Sequence, residues 1–325
     1  MKLTIQRLPL ALAIIACAVH ANLVAAQGYP TKPIRLIVPF APGGSTDIVA
    51  RLLAPRLSEN LGQPVVVENR AGGGTTIGMD HVAKSAPDGH TLGVATLTFA
   101  LNPSLFAKLP YNTEKDFAPV SLVSIVPFAF AIHPSVPARS VKQFIALAKA
   151  QPGALNYSSS GIGSASQMAA ELFKYMTRTD MVHIPYTGGG PAMVALLSGQ
   201  VSLFVLSIPG GLPHFKSGKL VALGVTSPQR DATLPEVPTI AESGLPGYAL
   251  LEYQGIVAPA ATPRPVIARV QQEIVKSLAA PDLKERFVTS GAYVVGSTPE
   301  ELAEHVKKEI ATWAKVIKAA NIRLE

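Results

Sequence analysis

Short apolar runs alternate with longer segments of helical periodicity along most of the chain, and that alternation limits the fold more than any other feature. Residues 34–38, 65–67, 91–96, 128–132, 155–157, 181–184, 201–206 and 221–225 read as strands. Residues 46–57, 75–85, 141–150, 166–176 and 191–197 read as helices, and two long helices close the chain. In the first helix Ile48, Val49, Leu52 and Leu53 share one face. Repeated strand–helix–strand units build parallel sheets with helices on both faces, so the expected class is α/β. At roughly 150 residues per domain, 325 residues make two domains.

Several helix starts carry their own signals. Ser140 with Gln143 fits a capping box. Thr262 before Pro263 gives a cap followed by proline at the first helical position. Thr298-Pro299-Glu300-Glu301 combines both, and beyond it Leu302, Val306, Ile310, Trp313 and Ile317 form one apolar stripe that places Trp313 in the core. Pro55 lacks an N–H and clashes with the carbonyl of Arg51, so a kink or an early end is expected in the first helix.

Residues 1–26 have the form of a secretory signal peptide. Lys2 and Arg7 precede an apolar stretch from Leu8 to Val19, and Val24-Ala25-Ala26 places the cleavage after Ala26. The stretch is too short to span a bilayer. Cys17, the only Cys, lies in Ile14-Ile15-Ala16-Cys17, which loosely fits a lipoprotein site; the alanine-type site downstream is preferred. Export to the periplasm then leaves a chain without Cys, and loss of Lys2 and Arg7 lowers the formal charge from +7 to +5. No later segment approaches the ~18 apolar residues of a membrane span.

Composition excludes several classes. A hydrophobic fraction of 48% rules out a disordered chain, and one Cys rules out a disulfide scaffold. The basic residues are scattered without interleaved aromatics, which argues against nucleic acid.

Three strand-to-helix junctions are rich in Gly and hydroxyls. Loop one spans residues 39–47 and offers Phe40, Ala41, Gly43, Gly44, Ser45, Thr46 and Asp47. Loop two spans 158–164 and offers Ser159, Ser160 and Ser164, with Ser166 just beyond. Loop three spans 186–192 and offers Tyr186, Thr187, Gly188, Gly189 and Ala192. In open α/β sheets ligands bind beyond the carboxyl ends of the strands. Glycine lets backbone approach a ligand, and free N–H groups at a helix start favour an anion. One such loop is explained equally well as a turn with a cap; three in one chain favour a carboxylate site that needs no Arg or Lys. Asp47 reads as a capping residue first and a ligand contact second, since a bound anion repels it. Gly72–Gly78 lacks the phosphate-loop ending and reads as a turn lining the cleft. Gly-x-Ser-x-Gly, His-Glu-x-x-His and a Cys nucleophile are all missing, and His133 and His183 lack metal-ligand spacing. No catalytic residue, metal or cofactor is expected.

At these motifs the chain resembles the Bug family of periplasmic solute receptors, the binding components of tripartite tricarboxylate transporters. The resemblance runs over the whole chain after the signal: Tyr29–Arg35, Pro39–Asp47, Val66–Arg70, Pro87-Asp88-Gly89, His183–Tyr186, Pro235–Thr239 and Ala258–Pro263. It implies the type II periplasmic binding fold, two doubly wound lobes joined by two crossover strands around a ligand cleft. Crossings near Ser124 and Ala249 put residues 27–124 and 250–325 in lobe one and 125–249 in lobe two. Loops one and three would grip the carboxylate. Thr96, Thr98 and Asn102 after the third strand, and Ser207 at a strand end, are further cleft-facing candidates.

Three positions depart from the family pattern: Thr187 where Lys is common, Tyr253 where Trp is common, and Leu206-Ser207 where Asp-Asn is common. The missing acid leans towards a plain or aromatic carboxylate over an amino acid. The expected function is a monomeric extracytoplasmic receptor for a small carboxylate, serving membrane permease subunits or a signalling partner. A secreted hydrolase or transferase reusing the cleft is the second reading. The effector-binding part of a regulator is a third, disfavoured by the signal peptide.

Overall fold

The computed structural model describes residues 28–319 and 322, so the expected signal peptide lies outside the described residues. β1 (Ile34–Val38), α1 (Ser45–Leu61), β2 (Val65–Asn69), a 3-10 turn (Gly73–Thr75), α2 (Thr76–Ala83), β3 (Thr91–Ala95) and α3 (Leu97–Leu105) come first. A long strand, β4 (Phe117–Ile132), follows. It leads into α4 (Val141–Ala150), β5 (Asn156–Ser159), α5 (Ala165–Thr177), β6 (Val182–Pro185), α6 (Gly189–Leu197), β7 (Leu203–Ser207), α7 (Ile208–Lys216) and β8 (Val221–Val225). The chain ends with β9 (Leu251–Pro259), α8 (Arg264–Ala279), α9 (Pro281–Thr289), β10 (Tyr293–Val294) and α10 (Pro299–Ala319).

The strands lie in the order β2-β1-β3-β9-β4-β7-β5-β6, with β10 and β8 also paired to β4. β1 runs parallel to β2 and β3, and β5 runs parallel to β6 and β7. β9 and β4 are antiparallel to their neighbours. β4 therefore serves two half-sheets. Phe117–Pro127 pair with β9, and Phe128–Ile132 pair with β7 and β8. The partner change falls between Pro127 and Phe128. Across from it, Leu250 N–H donates to Thr226 O, so the return segment passes the same point.

β1 and β3 are covered on both faces, which is why they read as largely apolar runs. Ile34, Ile37 and Val38 of β1 and Leu92 and Val94 of β3 are all buried. α10 buries Leu302, Trp313 and Ile317 from its expected stripe, and Trp313 Nε1 donates to Glu309. Each such burial contributes about 1.5–3 kcal/mol. Its capping box is complete: Glu301 N–H donates to Thr298 Oγ1, and Thr298 N–H to Glu301 Oε2.

Other expectations need correction. α1 runs through Pro55 to Leu61 without the early end. Pro55 sits on the solvent face, while Val49, Leu53, Leu57 and Leu61 hold the other face in the core. That packing outweighs the lost hydrogen bond, and Ile48 is turned outward. At α8 the cap is Pro263 itself, and Thr262 Oγ1 is buried without a partner. At α4 Ser140 accepts from Gln143 N–H as expected, but Gln143 Oε1 accepts from Arg139 N–H. The strand expected at 128–132 is only the end of β4, and the segment after β9 contains three helices where two were expected.

α3 and α7 were not anticipated. α3 has almost no polar face, because Leu97 to Asn102 are all buried, and Pro103 interrupts its pattern. α7 carries Pro209, Gly210, Gly211 and Pro213, which read as a loop; a side chain at Gly211 would run into Leu206 and Phe215.

Candidate functional site

Each half-sheet has one point where successive connections leave in opposite directions along the strand order. One lies between β1 and β3, the other between β5 and β7. The crevice at such a point accepts ligands in open α/β sheets. Loop one and the start of α3 lie at the first. Loop two and Ser207, at the end of β7, lie at the second, and loop three follows the neighbouring β6.

Loop one is shaped by Asp47. This residue is 3% exposed and occupies the third position of α1. Its carboxylate accepts from Gly43 N–H at 2.9 Å, Arg51 Nε at 3.0 Å and Asn69 Nδ2 at 2.9 Å. Asn69 also donates to Phe40 O at 3.0 Å, so the end of β2 ties both ends of the loop. Gly43 has φ +87, a left-handed conformation that favours glycine. Burial pushes the Asp47 carboxyl up, but Arg51, the Gly43 N–H and Asn69 outweigh it and hold the group below its ordinary value. With Gly43 engaged, the N–H groups of Gly44, Ser45 and Thr46 have no partner among the described residues, and Gly44 caps α1 without a side-chain bond. Ala41, Gly43 and Gly44 are exposed, Phe40 and Ser45 half-buried, and Thr46 buried.

Loop two bonds most of its N–H groups from within, while those of Ile162, Ala165 and Ser166 have no partner among the described residues. Ser160 N–H donates to Ser166 Oγ, Gly161 N–H to Ser159 Oγ, Gly163 N–H to Gln167 Oε1, and Ser164 N–H to Gly161 O. Ser164 caps α5 by accepting from Gln167 N–H. Ser159 and Ser166 are buried, Ser164 half-buried, and Ser160 exposed.

A partly buried relay runs beneath this loop. β5 and β6 pair with Tyr157 opposite His183, and the two rings stack with centroids 4.8 Å apart. His183 Nε2 lies 2.6 Å from Ser159 Oγ, and His183 Nδ1 lies 3.2 Å from Gln167 Nε2. The backbone N–H of Gly163 can only donate, so it fixes the Gln167 amide with Oε1 towards itself and Nε2 towards His183. His183 must then accept at Nδ1 and carry its proton on Nε2. Ser159 Oγ accepts that proton's bond and passes its own hydrogen to Gly161 O at 3.1 Å. Burial lowers the His183 pKa; Glu171 opposes that shift and Lys174 adds to it.

Loop three touches loop two through Tyr186 N–H, which donates to Ser159 O at 3.1 Å. The N–H groups of Thr187, Gly188, Gly189 and Gly190 have no partner among the described residues. Thr187 and Gly189 are exposed, Tyr186 and Gly188 half-buried, and Ala192 fully buried in a small core cluster.

The remaining candidates are placed differently. Thr96, Thr98 and Asn102 are buried. Thr98 Oγ1 donates to Gly163 O at 3.2 Å, joining α3 to loop two across the half-sheets. Asn102 Nδ2 lies within hydrogen-bond distance of Gly74 O, Thr75 Oγ1 and Tyr111 Oη. Thr96 Oγ1 and Asn102 Oδ1 are buried without partners among the described residues. Ser207 is the half-buried cap of α7. Among the described residues no hydrogen bond joins loop one to loops two or three. No group of His, Cys, Asp and Glu suited to a metal ion occurs among those residues.

In the sequence His183 stands out only as a histidine without metal-ligand spacing, and Asn69, Gln167 and Glu252 are not singled out at all. Glu252, on β9 beside the strand crossing, accepts from Leu97 N–H at 2.9 Å and so caps α3. Burial pushes its carboxyl up to about 7. These partners are far apart in sequence, and no spacing within one segment reports them.

Two half-sheets sharing β4, with glycine-rich helix starts at the switch point of each, define a two-lobed solute-binding protein. The chain belongs to the tripartite tricarboxylate transporter receptor family, whose model matches residues 49–322. It is 39% identical to protein BugT of Bordetella pertussis over 96% of both chains. A solved structure from R. palustris with adipate is 35% identical, with a TM-score of 0.84 over 91% of this chain and 99% of that one. The Rhodopseudomonas palustris protein MatC with bound malate is also 35% identical, with a TM-score of 0.82 over 89% of this chain and 100% of that one.

Proposed function

We propose that the chain is an extracytoplasmic receptor that binds a small carboxylate between its lobes and delivers it to membrane permease subunits or a signalling partner. One observation carries the reading: the starts of α1 and α6, one in each lobe, both present backbone N–H groups without partners among the described residues. Such groups, with the positive end of the helix dipole, bind an anion. Arg51, the nearest basic residue in sequence, is tied to Asp47. The relatives with adipate and malate support a dicarboxylate. The signal-like residues 1–26 support export.

Lobe one comprises 27–124 and 250–325, and lobe two 125–249. The change of strand partner at Pro127 and Phe128 supports a hinge close to these limits. The receptor acts as a monomer, since two lobes of one chain supply both helix starts.

The competing reading, a secreted hydrolase or transferase, needs a nucleophile facing a base. Ser159 and His183 are the nearest pair, but the tautomer set by Gln167 makes Ser159 the acceptor, the reverse of general-base activation. Thermal-shift measurements against mono-, di- and tricarboxylates, aromatic acids and amino acids test the proposal. Stabilisation by plain carboxylates is expected, with aspartate and glutamate weaker. Turnover of a stabilising compound by the purified protein would favour the enzyme.

A further inference from the structure

Loop two lies at the cleft and bonds the N–H groups of Ser160, Gly161, Gly163 and Ser164 within lobe two, so this segment has a role beside gripping an anion. Two contacts on a single residue of that loop supply one. Gly163 O accepts from Thr98 Oγ1 of lobe one, and Gly163 N–H donates to Gln167 Oε1 of lobe two. Thr98 and Gln167 therefore hold opposite faces of the same short backbone segment. From Gln167 the chain of bonds continues through both ring nitrogens of His183 to Ser159 and the Gly161 carbonyl. Ser159 O in turn accepts from Tyr186 N–H at the root of loop three. On the lobe-one side, Glu252 beside the crossing fixes the start of α3, one residue before Thr98. Hydrogen bonds thus run from the hinge, across the cleft, to the base of the loop that carries the free donors of lobe two.

We propose that Thr98 and Gln167 are positioning residues for ligand capture. Thr98 latches the closed lobes on the Gly163 carbonyl, and Gln167 passes that constraint through His183 and Ser159 to loop three. Loop two is a shaped strut, and neither residue touches the ligand. The directions of the bonds support this. With the Gln167 amide oriented by the Gly163 N–H, the path has one consistent polarity, and Thr98 and Gln167 are both buried. The inference rests on the cleft between the lobes being the ligand site.

The test uses the full mature protein with Thr98→Val, Thr98→Ser and Gln167→Glu variants. Valine keeps the shape of threonine without its hydroxyl, and serine restores the hydroxyl. Small-angle scattering of the ligand-free protein should show a larger radius of gyration for Thr98→Val and an unchanged one for Thr98→Ser. Stopped-flow measurement with adipate should show koff raised about 2- to 10-fold in Thr98→Val, the effect of one hydrogen bond, with kon unchanged and koff restored in Thr98→Ser. Long-range proton–nitrogen spectra should place the His183 proton on Nε2 in the wild type. In Gln167→Glu it should move to Nδ1, because a carboxylate can only accept there. Wild-type scattering and koff in Thr98→Val, or an Nδ1 proton on wild-type His183, would overturn the proposal. A wild type that ignores adipate would count against an adipate-like ligand, while scattering and the histidine spectra would still decide the latch.

Discussion

Asp47 reaches back four residues to accept the Gly43 N–H at 2.9 Å, and this one bond sets which donors of loop one remain available. It removes Gly43 from the proposed anion-binding set and leaves Gly44, Ser45 and Thr46 to lead into α1 with N–H groups that have no partner among the described residues. The acidic residue in the proposed anion-binding loop is thus a brace. Arg51 and Asn69 neutralise and orient it, which reduces its repulsion of a bound carboxylate.

Asp47→Ala leaves the Gly43 N–H and one Asn69 hydrogen without their acceptor. The expected cost is about 1–3 kcal/mol in urea unfolding, with weaker ligand binding. Because the folded-state pKa lies below the ordinary carboxylate value, the Asp47 contribution is present above that ordinary value and lost as pH falls through the lowered one. The difference between wild type and variant should therefore shrink in acid, below about pH 4. A constant difference down to complete protonation would rule out this source of stability.

Glu252 titrates in the opposite sense. Its pKa is raised from 4.5 to about 7 by burial, so the folded state keeps a proton that the unfolded state releases. The favourable contribution is complete below 4.5 and is lost as pH rises through 7. Glu252→Gln keeps an oxygen for Leu97 N–H and has no charge to bury. Relative to wild type it should gain stability between pH 5 and pH 8, read from paired thermal melts; a gap that stays flat would contradict the assignment.

Gly291 packs against the start of α7 from the loop between α9 and β10. A Cβ there would lie 1.6 Å from Pro209 Cγ, and the backbone has φ +69. Gly291→Ala should destabilise by at least about 1–3 kcal/mol. Adding Pro209→Ala should recover part of the loss, because the two effects share one contact. Simple additivity in calorimetric melts would show that the clash is relieved some other way.

Gly44 and Gly189 present the reverse case. A Cβ at Gly44 meets nothing within 4 Å, and one at Gly189 comes only to 3.7 Å from Ser160 Oγ. Gly44→Val and Gly189→Val should fold normally and lose binding, because the branched side chain takes the space a carboxylate needs beside the free N–H groups. Unchanged affinity in both would remove loops one and three from the site.

Much of the architecture was legible because a parallel strand is a short apolar run and its crossover helix is periodic. Residues 34–38, 141–150 and 221–225 coincide with β1, α4 and β8. The rule failed where burial is complete or helix breakers are tolerated. α3 shows no periodicity because both its faces are covered, and α7 forms although Pro209, Gly210, Gly211 and Pro213 suggest a turn. The glycine-rich loops could be found because glycine and hydroxyl runs are local. Their internal bonding could not, because Asn69 meets Asp47 and Gln167 meets His183 only after strands pair. Asn102, read as facing the cleft, is enclosed and engaged with Gly74, Thr75 and Tyr111.

The central claim is that backbone N–H groups from both lobes hold a carboxylate. Titration calorimetry of the best-stabilising carboxylate against its methyl ester tests it most directly, since the ester keeps the shape and loses the charge. The account predicts that esterification weakens binding about 10-fold or more, the loss of charge-assisted hydrogen bonds. Equal affinities for acid and ester would contradict it.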